Sequence, residues 1–217
     1  MQYTPHDYQR RAEQWVIEHP RCCLFLDMGL GKSAITLSAI SRLIDLGEVS
    51  RVLVVAPAKV AETTWTSEAE KWQHTRHLMV QRIAGTPKQR EAALRAEADI
   101  YVISRDLFVW LTETDFSADM VVWDELTTFK NSSSKRFKAA KRFTKTVSRA
   151  VGLTGTPAPN GYVDLWAQMM VVDGGEALGQ YKGKYIDQYF SVYVWNNVPI
   201  RYTPKTGSVE AITERLR

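Results

Sequence analysis

Three short segments carry residue types that could bind a phosphate chain and act on it. "DMGLGKS", residues 27–33, sets two glycines around a leucine and follows them with a lysine and a serine. "MVVWDELT", residues 120–127, ends an apolar run in two adjacent carboxylates. "GLTGTPAPN", residues 152–160, follows another apolar run and sets two threonines around a glycine. Each segment stands where a strand would give way to a loop.

The first segment predicts a phosphate-binding loop. Gly29 and Gly31 let the backbone curl around an anion, and the helix behind them offers N–H groups and the positive end of its dipole. Lys32 would reach the β- and γ-phosphates, and Ser33 would hold Mg²⁺. The strict pattern GxxxxGKS is not met, because Leu26 stands at its first position. An ordinary strand-to-helix turn is the alternative interpretation of this segment alone.

The second segment predicts a metal and water site. Two carboxylates at the end of a buried strand cost desolvation free energy unless a cation or partner compensates. The functional interpretation places Asp124 on Mg²⁺, through water, and makes Glu125 the base that orients an attacking water. The alternative is a solvent-exposed acidic pair. Because strands of a parallel sheet bind ligands at one edge, the pair and the phosphate loop would share that edge, which favours the functional interpretation.

The third segment is a turn when taken alone. Thr154 and Thr156 flank a glycine, and Pro157 fixes the backbone after them. In order after the other two segments, it fits a loop that senses the bound nucleotide.

Apolar runs alternate with helical patterns along most of the chain. Runs such as "CCLFL", "VLVVA" and "MVVWD" are continuous, which is typical of strands buried on both faces. Segments with helical spacing, such as "KSAITLSAISRLIDL", separate them. This order predicts an α/β fold, a mostly parallel sheet with helices on both faces. After about Asp173 the pattern weakens, and we predict an appendage and linker that ends in a short helix, "SVEAITERLR".

The composition is that of a globular protein. The chain has 217 residues, 45% of them hydrophobic and 24% charged, and a net charge of +4, which permits an anionic partner. The two cysteines, Cys22 and Cys23, are neighbours in an apolar run and are expected to be buried reduced thiols. No apolar run reaches the ~18 residues of a membrane helix, and the N-terminus is polar. We therefore expect a cytoplasmic protein with no membrane partner.

Several segments, in this order, resemble the superfamily-two helicases and translocases, and most of all the Swi/Snf-type ATPases of compact bacterial and phage type. "TPHDYQ" resembles their adenine-recognising segment, and "DMGLGKS" resembles motif I. "VLVVAPAKVAETTW" resembles motif Ia, and "VISRDLF" stands where motif Ib lies. "DELTTFKNSSSKRFKA" resembles motif II, and "LTGTPAPN" with the later "DLW" resembles motif III. The likeness covers about residues 3 to 190.

The resemblance implies a RecA-like P-loop domain that binds ATP and Mg²⁺. Residues 1–172 would form the ATP-binding lobe, and residues 173–217 would lead toward a second RecA-like lobe in the same or another chain. The second lobe carries motifs IV to VI and the arginine fingers, and nothing like those motifs occurs here. Lys32 and Glu125 would be catalytic in an ATP hydrolase that is weak without that lobe. The implied nucleotide-binding residues are Gln9, Met28, Gly29, Leu30, Gly31, Lys32 and Ser33.

Motif II departs from the family pattern, because Thr127 stands where a histidine is usual. A threonine can form hydrogen bonds but cannot carry charge. The family couples motif II to motif III, so the resemblance makes Thr127, Thr154 and Thr156 the expected coupling residues.

A basic stretch follows motif II. No Asp or Glu occurs between Glu125 and Asp164, and four cations follow helical spacing and could form one basic face. A solvated helix face is the alternative interpretation. The family grips the phosphate backbone, here of double-stranded DNA, largely without reading bases. The candidate contacts are Lys59, Ser104, Arg105, Lys130, Asn131, Lys135, Lys138, Arg142 and Lys145.

Two other functions are alternatives to the motor lobe. A P-loop kinase would leave "TGTP" and the "KN…SK" extension of motif II unexplained. A nucleic-acid-binding module that has lost hydrolysis would have no need of Lys32 and Glu125. Tryptophans such as Trp65, Trp72 and Trp166 are expected in the core rather than as platforms for base stacking.

Overall fold

The computed structural model describes residues 1–158, 161–196 and 198–216. The strands are β1 (Arg21–Phe25), β2 (Val52–Ala56), β3 (Val80–Ile83), β4 (Ile100–Ser104), β5 (Met120–Asp124), β6 (Arg149–Thr154), β7 (Phe190–Trp195) and β8 (Val198–Pro204). The α-helices are α1 (Asp7–Glu18), α2 (Lys32–Asp45), α3 (Trp65–Lys71), α4 (Pro87–Arg95), α5 (Phe108–Leu111), α6 (Lys135–Phe143), α7 (Leu165–Val172), α8 (Lys182–Tyr189) and α9 (Ser208–Arg215). A π-helical turn spans Val60–Thr64, and 3₁₀ turns span Leu126–Phe129, Thr144–Thr146 and Tyr162–Asp164.

Within the described residues, β1 to β6 form one sheet in the order β1-β6-β5-β2-β4-β3. All its pairings are parallel. The carboxyl ends of these strands therefore lie at one edge, where the three chemically suggestive segments follow β1, β5 and β6. The predicted α/β fold is confirmed.

Helices cover both faces of the sheet. Along β2, Leu53 and Val55 belong to one hydrophobic cluster, whereas Val52 and Val54 belong to a second cluster on the opposite face. The first cluster includes residues of α4 to α9, and the second includes residues of α1, α2 and α3. All five residues of β2 are buried, which is why its sequence is continuously apolar.

The segment after residue 173 contains more structure than we predicted. The terminal helix is confirmed as α9, but α8 and the antiparallel hairpin β7–β8 stand where only a linker was expected. Tyr185, Tyr189 and Ile212 are buried in the same cluster as α7. The hairpin itself is exposed from Ser191 to Trp195. The division of the chain at residue 172 stays a prediction.

Both cysteines are free, with Cys22 buried and Cys23 half-buried. Among the described residues, no helix combines the length and the apolar character needed to cross a bilayer. The cytoplasmic localisation stays a prediction.

Candidate nucleotide and nucleic-acid site

The loop between β1 and α2 has the backbone that a phosphate cradle needs. Gly29 has φ 83° and Gly31 has φ 79°, in the left-handed region that favours glycine. Gly31 is the N-cap of α2, so the first turn of that helix points its free N–H groups at the loop. Leu26 N–H donates to Thr154 O at 3.2 Å, which ties this loop to the end of β6.

Lys32 lies at the start of α2 and folds back over the loop. Its Nζ donates to Leu26 O at 2.8 Å and to Asp27 O at 3.1 Å. These carbonyl contacts hold the amine above the cradle. Ser33 is the next residue of α2 and is half-buried. The Met28 side chain is 89% exposed, so any contribution of this residue to the cradle comes from its backbone.

Gln9 connects α1 to the loop. Its Oε1 accepts from His6 N–H at 2.9 Å in a capping box, and its Nε2 donates to Leu30 O at 3.3 Å. Tyr8 Oη also donates to Leu30 O, at 3.2 Å. A Cβ atom on Gly31 would lie 2.7 Å from Gln9 Nε2. The absence of a side chain at position 31 is therefore what allows Gln9 to reach the loop.

A cleft of about 630 Å³ lies beside this loop. One wall is the segment from Gln2 to His6 together with Gln9, and the floor is the loop from Gly29 to the start of α2. The opposite wall is α3 and its preceding residue, through Thr64, Glu68 and Trp72. The cleft thus brings together the predicted residues Gln9, Gly29, Gly31, Lys32 and Ser33.

Asp124 ends β5 at the same edge of the sheet. Burial raises the pKa of its carboxyl group above the ordinary value, while a hydrogen bond from Trp65 Nε1 at 3.0 Å lowers it. The charge of Glu125 adds to the rise in pKa, and the charge of Lys32 opposes it. The loop and the acidic pair are joined through Thr154, which accepts from Leu26 N–H of the loop and donates its Oγ1 hydroxyl to Glu125.

Glu125 is held by hydroxyl groups from two segments. Its backbone has φ 63°, an uncommon conformation for a residue other than glycine. Oε1 of Glu125 accepts from Thr127 Oγ1 at 2.6 Å and from Thr154 Oγ1 at 3.1 Å. Thr156 N–H in turn donates to Thr154 Oγ1 at 3.2 Å. The three predicted coupling residues and Glu125 thus form one hydrogen-bonded chain. Asn160 of motif III lies outside the described residues.

The candidate nucleic-acid contacts near β2 and β4 lie close together. Arg105 N–H donates to Ala56 O at 2.9 Å, so the segments after these neighbouring strands touch. Lys59 is exposed, and Ser104 and Arg105 are half-buried. Arg136 Nε of α6 donates to Arg105 O at 3.1 Å, which ties α6 to this edge.

The basic helix α6 has one buried and one exposed side. Phe137, Ala140 and Phe143 are buried. The predicted cations Lys135, Lys138 and Arg142 of α6 are exposed, as are Lys130 and Asn131 before them. Lys145, predicted on the same helical face, is exposed in the 3₁₀ turn that follows α6. Lys135 and Arg142 are seven positions apart, or about 10 Å along the helix axis.

Other cations of this stretch pair with carboxylates of the chain itself. Arg136 pairs with Asp106 at 2.8 Å. Arg149 is 7% exposed and pairs with Glu48 at 2.7 Å. Fewer cations are therefore free to contact a nucleic acid than the basic stretch of the sequence contains.

The residues at this edge fit a magnesium nucleotide. Mg²⁺ in such sites is held by one or two protein oxygens together with phosphate oxygens and water, rather than by a protein cage. In the described part of the chain, no group of three or more His, Cys, Asp or Glu residues is arranged to hold a metal alone. Ser33 and Asp124 are hard oxygen donors of the required kind, so they would share the ion with the phosphates.

Sequence reasoning missed several residues of the site. Thr64, Glu68 and Trp72 form a wall of the cleft. The expectation that Trp72 lies in the core is wrong, because its side chain is half-buried at this cleft. Trp65 donates to Asp124. Trp65 is buried as expected. The direction of its indole N–H, however, depends on how α3 packs against β5. No local pattern carries that information.

The parallel sheet, with a phosphate-loop backbone and an acidic pair at one edge, defines a RecA-like lobe. Residues 8–177 match the family model of the SNF2-related domain. Protein p41 of Acyrthosiphon pisum secondary endosymbiont phage 1 is 38% identical over 198 residues, which are 87% of this chain and 43% of that protein. Nuclear protein STH1/NPS1 of Saccharomyces cerevisiae is 29% identical, over 78% of this chain and 13% of that protein.

A solved structure agrees with these matches. The Sulfolobus solfataricus SWI2/SNF2 ATPase core in complex with dsDNA superposes with a TM-score of 0.76 at 26% identity, over 87% of this chain and 39% of that one. The chain belongs to the SNF2 family and is its first RecA-like lobe, as the motifs predicted. It spans less than half the length of each of these relatives.

Proposed function

We propose that this chain is the first motor lobe of an ATP-dependent translocase that moves on double-stranded DNA. The observation that carries the proposal is the bonding of Glu125 to Thr127 and Thr154, beside the Lys32 loop. A carboxylate held by hydroxyl groups from two segments has a fixed direction. A protein that only binds nucleotide has no use for such a carboxylate.

The cleft beside the loop accounts for nucleotide binding. Lys32 would exchange its two carbonyl contacts for the β- and γ-phosphates, and the α2 N-terminus would donate to the same phosphates. Gln9 lines the same cleft and would recognise the adenine base, as its motif does in the family. Ser33 and Asp124 would complete the coordination of Mg²⁺, which neutralises charge on the phosphates.

The catalytic role falls to Glu125. Its carboxylate would accept a hydrogen bond from the attacking water and orient it toward the γ-phosphate. Thr154 and Thr156 belong to motif III, which follows β6. A movement of Glu125 on loss of the γ-phosphate would therefore be transmitted to the end of β6 through these hydrogen bonds. This gives motif III a physical link to hydrolysis.

DNA would bind on the exposed cations. Lys59, Ser104 and Arg105 lie near each other at the ends of β2 and β4, and α6 continues the basic surface. A protein that moves along DNA needs contacts to phosphates rather than to bases, since every sequence presents the same backbone. The structural neighbour from Sulfolobus solfataricus is itself a complex with dsDNA.

Hydrolysis would be weak in this chain alone. An arginine finger that neutralises the transition-state charge is worth roughly 10³–10⁵ in rate, and the family supplies it from the second RecA-like lobe. We propose that such a lobe, in the same chain or another, closes over the cleft.

The test is calorimetric titration of ATP with and without Mg²⁺. The parent chain should bind ATP more tightly with Mg²⁺, and Lys32→Ala should lose tight binding while its thermal unfolding stays unchanged. Lys88→Ala removes an exposed lysine from α4, away from the cleft, and is the matched control. Equal affinity of the parent and Lys32→Ala would refute the proposal.

A further inference from the structure

Trp65 uses a carboxylate of the candidate site as the acceptor for its buried indole N–H. The side chain is 1% exposed and opens α3. Its Nε1–H donates to Oδ2 of Asp124 at 3.0 Å. A buried indole N–H needs an acceptor, and any backbone carbonyl would serve. Here the acceptor is instead the carboxylate that ends β5.

We propose that Trp65 is a positioning residue that fixes the Asp124 carboxylate in the orientation needed for the magnesium ion of the bound nucleotide. This inference rests on the proposed function. A carboxylate has about four lone-pair sites, so one indole donor leaves room for a metal-bound water. Donors that orient a metal ligand typically contribute 10–100-fold to metal affinity or activity.

The surroundings of Trp65 make it a rigid donor. It lies in the hydrophobic cluster that includes α1, α2 and α3, with Ala61 and Ala69 of its own helical segment in the same cluster. The π-helical turn Val60–Thr64 directly precedes it. A π turn is wider than an α turn, so it changes the direction in which the next side chains leave the helix, and such turns are frequent at functional sites.

The same helix also forms a wall of the nucleotide cleft. Glu68 and Lys71 of α3 line that cleft, as do Thr64 and Trp72 at its two ends. Trp65 donates to Asp124. One short helix therefore touches both the space for the nucleotide and the residue assigned to its metal. Through α3, the position of the nucleotide and the orientation of Asp124 are mechanically connected.

Trp123 provides a matched comparison. It precedes Asp124 on β5 and is fully buried, between the rings of Phe108 and Phe129. Among the described residues its Nε1 has no hydrogen-bond partner. Replacing Trp123 by Phe removes a similar volume next to Asp124 but no hydrogen bond.

The experiment measures how far Mg²⁺ tightens ATP binding, by calorimetry in Mg²⁺ and in EDTA. It compares the parent, Trp65→Phe and Trp123→Phe. A fourth protein carries 3-benzothienylalanine at position 65, which keeps the shape of tryptophan but has sulfur in place of N–H. This variant keeps the test valid if Trp65→Phe does not fold.

Both changes at position 65 should reduce the Mg²⁺ enhancement by about tenfold and leave metal-free ATP affinity unchanged. Trp123→Phe should keep the enhancement. If the benzothienyl variant keeps the parent's enhancement, or Trp123→Phe loses as much, Trp65 acts only through packing and the inference is overturned. If the parent shows no enhancement at all, the proposed function fails, and the role of Trp65 fails with it.

Discussion

Position 31 of the phosphate loop must adopt a left-handed backbone conformation and must leave space for the Gln9 side chain. Replacing Gly31 by alanine tests these two requirements. The residue has φ 79°, and an added Cβ would lie 2.7 Å from Gln9 Nε2. Gly29 has φ 83°, but nothing lies within 4 Å of its added Cβ. The pair Gly31→Ala and Gly29→Ala therefore shares the backbone cost and differs in the contact with Gln9.

The backbone cost is about 1–2 kcal/mol for an L-residue in the left-handed region. In a domain of 150–250 residues, each kcal/mol lowers Tm by about 2–4 °C. The contact adds little to this cost, because the Gln9 amide is the end of a flexible side chain and can move. Its bond to Leu30 O is lost when it moves, so Gln9 no longer has a fixed position beside the cleft.

Thermal unfolding and titration with ATP and GTP measure both effects. We expect similar falls in Tm for the two variants and weaker binding of both nucleotides, since each glycine belongs to the cradle. Only Gly31→Ala should lose preference for ATP over GTP, by about tenfold, the value of one hydrogen bond. Equal loss of preference in Gly29→Ala would show that Gln9 does not recognise the base.

Three other changes test separate parts of the structure. Thr127→Val removes the 2.6 Å hydrogen bond to Glu125 and should slow single-turnover hydrolysis about tenfold without weakening ATP binding. The control Thr128→Val makes the same change one residue later and should leave the hydrolysis rate unchanged. The double change Lys138→Gln and Arg142→Gln should reduce the slope of log DNA affinity against log salt concentration by about two units. An unchanged slope would show that α6 is a solvated face that does not contact DNA. Lys88→Gln with Arg95→Gln on α4 is its matched control. Gly152→Ala sets a Cβ 2.7 Å from Leu126 Cδ2 and 3.0 Å from Val172 Cγ2, and should cost about 1–3 kcal/mol in urea unfolding; an unchanged free energy of unfolding would contradict the packing of β6.

The parts of the site that follow strands could be predicted from the sequence. The loop from Gly29 to Lys32 and the pair Asp124 and Glu125 each come directly after an apolar run. Parallel strands then bring such segments to one edge without further information. The order of motifs supplied Gln9, which composition and spacing alone would not have found.

The parts that depend on packing between distant elements could not be predicted. Trp65 reaches Asp124 because α3 packs on the sheet. Arg149, at the end of the basic stretch, is buried and pairs with Glu48 from a distant part of the chain. The hairpin β7–β8 was missed because its exposed strands have no buried face to impose a periodic pattern. The sequence indicates that Thr127 can donate a hydrogen bond. It does not indicate that the acceptor is Glu125, which the structure shows.

We infer that this chain supplies the ATP site of a motor whose turnover depends on a second RecA-like lobe. Steady-state ATP hydrolysis by the 217-residue chain, with and without duplex DNA, tests it most directly. We expect slow turnover with little stimulation by DNA, and DNA-stimulated turnover once a second RecA-like lobe is joined after residue 217. Vigorous DNA-stimulated hydrolysis by a demonstrated monomer of the 217-residue chain would contradict it.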